Sequence, residues 1–86
     1  MDNILNVRII TPHQVLFEGQ AESISSIDSA GPFDILPQHA NFIALIENQD
    51  ITVREPNKPE KKFKVAQGIV YNAKNQVSIF AEPQTI

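Results

Sequence analysis

The chain has 86 residues, a formal net charge of −3, 42% hydrophobic residues and no cysteine. That length holds a single domain, residues 1–86, and the missing cysteine excludes disulfides and thiolate metal sites. The acidic balance argues against nucleic-acid binding as the main task, and the longest apolar run, Phe42 to Ile46, falls far short of the roughly 20 residues a membrane-spanning helix needs.

The N-terminal "MDNILNVRII" has no basic segment ahead of an apolar stretch and does not read as a signal peptide. Within it, "LNVRI" sets Leu5, Val7 and Ile9 on one face and Asn6 and Arg8 on the other, the period of a half-buried strand. Thr11-Pro12 breaks that run, because proline cannot donate to a ladder. "QVLFEG" is a short apolar piece closed by Gly19, and "AESISSID" takes Ile24 and Ile27 as inward anchors with its serines on an exposed face. "GPFDILPQHANFIALI" follows: Gly31-Pro32 opens a turn region, Pro37 ends a short strand at Leu36, and Ile35, Leu36 and Phe42–Ile46 are assigned to core and sheet. On the residues alone this stretch is either a tight structural turn or a protruding loop whose Phe33 and His39 touch a partner.

"ENQD" reads as a short polar connector, after which "DITVRE" alternates again with Ile51 and Val53 inward. "EPNKPE" is a turn around Asn57. The lysines Lys58, Lys61, Lys62 and Lys64 read as a solvated strand edge, a common device against edge-to-edge pairing. "KKFKVAQ", "GIVYNA" and "QVSIFAE" complete the strands, the last with Val77, Ile79 and Ala81 on one face, and "NAKNQ" supplies asparagines for a turn. Short strands with turn signals and no helical period predict an all-β fold, a small antiparallel β-sandwich or barrel-like domain.

Catalytic chemistry is hard to assemble from these residues. The only histidines are His13 and His39, and no Gly-x-Ser-x-Gly elbow frames a serine. Neither histidine has a second ligand-type residue at a zinc-site spacing, and the three glycines are too scattered for a phosphate loop. No catalytic group, metal site or cofactor is expected.

Three segments carry a family resemblance: "VRIITPHQVLFEGQAESI", "GPFDILPQHANFIALI" and "VREPNKPEKKFKVAQGIVYNAKNQVSIFAE". With Thr11-Pro12, Leu16-Phe17-Glu18-Gly19 and the specific Ile35-Leu36-Pro37-Gln38-His39-Ala40 core, the chain from about Val7 to Glu82 resembles the N-terminal β-sandwich of the epsilon subunit of the F-type ATP synthase. The resemblance implies a non-catalytic rotor component of the central stalk, gripping the gamma subunit and resting on the c-ring loops, on the cytoplasmic face of an energy-coupling bacterial inner membrane. Carried over by position, it implies c-ring contacts at Pro32, Phe33, Gln38 and His39 and gamma-facing positions at Thr11 and Ala44.

Departures from the family pattern are specific. Asp34 stands where a glycine is usual, Pro32 where an acid is frequent, Gln67 for the first of two paired glycines, and Asn48-Gln49 for a Pro-Gly turn. Asp34 is expected to alter the turn or to make a contact of its own. Most members continue into a C-terminal helical hairpin with inhibitory and, in some, ATP-binding roles. This sequence stops at "EPQTI", so neither role is expected of it. Two rival readings are a biotinyl- or lipoyl-type carrier displaying Lys58 in "PNKP" and a generic β-sandwich binding module. The prolines beside Lys58 do not match the Met/Ala-rich tip of such carriers, and one Tyr with no Trp is a poor platform for sugars.

Overall fold

The computed structural model describes residues 3–83. These form seven strands: β1 (Leu5–Ile10), β2 (Val15–Ala21), β3 (Ser23–Asp28), β4 (Gly31–Ile35), β5 (Phe42–Arg54), β6 (Lys61–Ala73) and β7 (Gln76–Pro83). They hydrogen-bond in the order β2-β1-β7-β6-β5-β3-β4. Neighbours run antiparallel except β1 and β7, which are parallel, so the all-β expectation holds with one parallel pair added.

Two long strands turn this single ladder into a sandwich. β5 and β6 have 13 residues each, against a usual length of about 5–6. In β5 the buried side chains are Ala44 and Ile46 before Asn48, then Ile51 and Val53 after it. The parity switches at Asn48, which takes φ of 53°, while the pairing of β5 with β6 keeps one register from Phe42 to Val53, so the strand rotates between layers without a slip. β6 makes the matching switch beyond Val65, where its register against β7 shifts before Gln67. Each long strand therefore begins in one layer and ends in the other. The first layer holds β2, β1, β7, the second half of β6 and the first half of β5. The second holds the other halves with β3 and β4.

The core lies between these layers. Leu5, Ile9, Ile46, Val70 and Ile79 face Ile24, Ile35, Ile51, Val53 and Val65, all of them buried. Phe17 of β2 closes one side by meeting Phe63 of β6 edge-on, ring centroids 6.1 Å apart. At Gly68, where β6 changes layer, an added Cβ would lie 3.1 Å from Val65 Cγ1, so a side chain there would have to displace the core.

"ENQD" is not a connector but the middle of β5: its polar residues mark the change of layer. Ile27 is 41% and Leu36 53% exposed, so neither anchors the core. Ser23 and Ser26 are buried rather than outward; the Ser26 hydroxyl donates to the Asp50 carbonyl at 2.8 Å, which satisfies it. The lysine reading stands for Lys61, Lys62 and Lys64, which lie on the half of β6 that pairs with β5 alone and so form an edge of the second layer. Beside them, hydrogen bonding from Lys61, then the positive charges of Lys58 and Lys61, holds the Glu55 carboxyl below its usual range.

Candidate functional site

Residues 36–41 join β4 to β5 and stand at the end of the first layer where β6 turns into β7. Gln38 adopts φ of 68°, and its N–H donates to Asn75 Oδ1 at 2.6 Å. The His39 N–H donates to the Leu36 carbonyl at 3.1 Å and closes the turn. Asn72, fully buried in β6, donates from Nδ2 to the Ala40 carbonyl at 3.2 Å. His39 Nδ1 sits 2.8 Å from that same carbonyl. Beneath the loop, Phe33 packs on Phe42 at 5.0 Å between centroids, and His39 meets Phe42 edge-on at 5.5 Å. The stretch that composition marks as a loop is therefore a loop clamped to the β6–β7 turn.

The structure brings Phe33, Gln38 and His39 to this one corner but sets Pro32 apart from it, opposite Ile27 in the β3–β4 hairpin and beside Asn48–Asp50. Pro32 and Gln38 are exposed, whereas Phe33 and His39 are half-buried and serve as packing beneath the rim. Asp34 makes a contact of its own, accepting a hydrogen bond from Ser25, its cross-strand partner.

The two positions expected to face gamma fare differently. Thr11 lies in the β1–β2 turn, its hydroxyl accepting the N–H groups of His13 and Gln14 at 3.1 Å each, and it borders the outer surface of the first layer. Ala44 is buried, because even-numbered residues in this part of β5 point inward. The outward surface at this point belongs to its neighbours Ile43 and Leu45, both 65% exposed.

Those two residues begin an apolar face that the sequence reading did not assign. Ile43 pairs with Tyr71, and Tyr71 with Ser78; Leu45 pairs with Ile69, Ile69 with Phe80, and Phe80 with Ile10. Register thus lines up two outward rows, the second apolar across all four strands. One step farther from the loop comes a polar row, Glu47, Gln67 and Glu82. Ile27 and Ser29 of the β3–β4 hairpin rise beside it, and together they bound a groove of about 920 Å³. The missed signal was in "FIALI" and "GIVY": a strand apolar at consecutive positions is covered on both faces, not on the core face alone.

Removing the clamp without disturbing the fold gives a clean test of the loop. Asn75 has φ of 63°, which glycine tolerates, so Asn75→Gly keeps the turn and deletes only the acceptor for Gln38. We expect amide exchange across residues 36–41 to speed up by about fivefold, since one such bond contributes roughly 1 kcal/mol. Exchange in β1 and β7 is expected to stay unchanged.

The geometry defines an all-β sandwich with two adjoining outward surfaces, a clamped loop and an apolar sheet face. Residues 4–84 match the model of the family described as "ATP synthase, Delta/Epsilon chain, beta-sandwich domain", and the chain belongs to that family. It is 34% identical over 83 residues to the ATP synthase epsilon chain of Ureaplasma parvum serovar 3, covering 95% of this chain and 61% of that one. The epsilon chain of Clostridium novyi is 30% identical over 82 residues, covering 95% and 63%. This chain thus spans about three-fifths of the length of these curated relatives. In fold it is similar to a chain of the Euglena gracilis mitochondrial ATP synthase, in a structure of OSCP, F1 and c-ring, with a TM-score of 0.86 at 11% identity over 94% of this chain and 52% of that one. A chain in the central stalk and c-ring structure of the Tetrahymena thermophila mitochondrial ATP synthase gives a TM-score of 0.74 at 15% identity, covering 90% and 62%.

Proposed function

We propose that this chain is a central-stalk subunit of a proton-translocating F-type ATP synthase. It works without catalysis or cofactor, through protein contacts, and supports the coupling of proton flow to ATP synthesis. The apolar face seats on the gamma subunit, with Thr11 at its border. The clamped corner rests on c-ring loops, with Gln38 as its outermost residue and Phe33 and His39 packed beneath it, and Pro32, exposed on the β3–β4 hairpin, adds a separate contact. The membrane association runs through the complex, on the cytoplasmic face of an energy-coupling membrane.

One observation carries this reading: in the outward row Ile10, Phe80, Ile69 and Leu45 the last three are exposed and Ile10 is half-buried, one step from the loop, in a chain of this family. Leaving such a row wet is costly at roughly 25 cal/mol per Å² of apolar surface, so a standing partner is the economical explanation. Affinity purification of the tagged chain from its own cells tests the proposal. Alpha, beta and gamma subunits should be recovered with it, and recovery of the folded chain alone would overturn it.

A further inference from the structure

The groove on the apolar face has a one-sided charge. Its floor is Leu45, Ile69 and Phe80, and its rim carries three carboxylates, Asp28, Glu47 and Glu82, while no Lys, Arg or His lines it. None of the three makes an ion pair with a described residue; Arg8, on the opposite border of the face, is already turned to Glu18 at 3.8 Å. Asp28 spends one oxygen on the Ala30 N–H at 2.9 Å, whereas Glu47 and Glu82 stand exposed at the two ends of the polar row with Gln67 between them. Two like charges held along one border of an apolar floor repel each other weakly and gain nothing within the chain. Their arrangement suits an external cation.

We propose that the groove selects a protein segment presenting apolar side chains flanked by Lys or Arg: the apolar side chains fill the floor, and the cations meet Glu47 and Glu82. This rests on the reading above, so the segment is one of the gamma subunit. The floor supplies most of the affinity. The carboxylates act at longer range, raising the association rate and fixing which way along the strands the segment lies, as charges at the rim of an interface do.

The test measures association of the chain with an alpha–beta–gamma assembly stripped of its own small subunit, at about 0.05 M and about 1 M salt, where the screening length falls from roughly 14 Å to 3 Å. The double variant Glu47→Gln, Glu82→Gln is expected to associate about fivefold more slowly than wild type at low salt and equally fast at high salt. Lysine at both positions is expected to slow it by a further tenfold or so. An association rate of the glutamine variant equal to wild type at low salt overturns the proposal. A companion variant, Leu45→Thr with Ile69→Thr, separates the two levels. If it weakens binding while the carboxylate variants do not, the charge selection fails and the gamma reading survives. If neither set matters, the face is not the gamma surface at all. Both residues of the carboxylate pair are exposed and unpaired among the described residues, so melting temperature is expected to stay within the wild-type range and serves as the folding control.

Discussion

Threonine at both position 45 and position 69 is expected to leave the sandwich folded and to weaken its complex with gamma by about a hundredfold. Leu45 and Ile69 are direct partners across β5 and β6, 65% and 46% exposed, and so contribute little to the isolated core. Substitutions at such sites usually shift stability by no more than about 0.5 kcal/mol, and threonine keeps the branched shape that a strand favours. In a complex the same two side chains lose their water. Covering each contributes roughly 1.5 kcal/mol, and two of them at 1.4 kcal/mol per decade give the hundredfold. Titration of the chain against the alpha–beta–gamma assembly reads the effect, with a thermal melt alongside. A variant that melts like wild type and binds like wild type assigns the face to something other than gamma.

How much of this was legible in the residues turns on parity. β1 and β7 alternate cleanly, so Leu5, Val7, Ile9, Val77, Ile79 and Ala81 were assigned inward from the sequence and are inward in the structure. β5 and β6 break alternation in their middles. The period-2 rule then reports two short strands with a gap where the chain has one long strand that changes layer. Asn48 was the clue, since asparagine accepts positive φ at little cost, but a change of layer within a strand and a turn between strands use the same residue.

The corner was legible in a different way. The Ile35–Ala40 motif located it, and the family resemblance gave it a task, but nothing in local sequence tells that Asn72 and Asn75 reach across 32 and 37 residues to hold it. Long-range clamps of this kind depend on the hairpin register that sets β6 beside β5, and so appear only with the fold. Ala44 shows the converse error. A position carried over from a family marks a place on the surface, while the side chain that occupies that place is set by which way the strand points.

Adjacent residues on β7 should therefore fail in opposite ways. Ile79 is fully buried, paired to Ile9 on one side and Val70 on the other, in the middle of the first layer. Its replacement by alanine leaves a cavity among residues fixed by two ladders, which cannot close around it, and costs about 3 kcal/mol. For a domain of this size that lowers the melting temperature by about 12–24 °C and removes a large share of the total stability. Phe80, the next residue, is 52% exposed and points out of the sheet. Phe80→Ala is expected to melt within a few degrees of wild type and to lose affinity for gamma by tenfold or more, because a large aromatic at the centre of the apolar row is the kind of anchor on which binding energy concentrates. Thermal melts and titrations of the two variants, run in parallel, give a crossed pattern: stability lost with one and binding with the other. If Phe80→Ala proved the more destabilising of the two, the register of β7, and with it the outward row on which the gamma assignment rests, would be inverted.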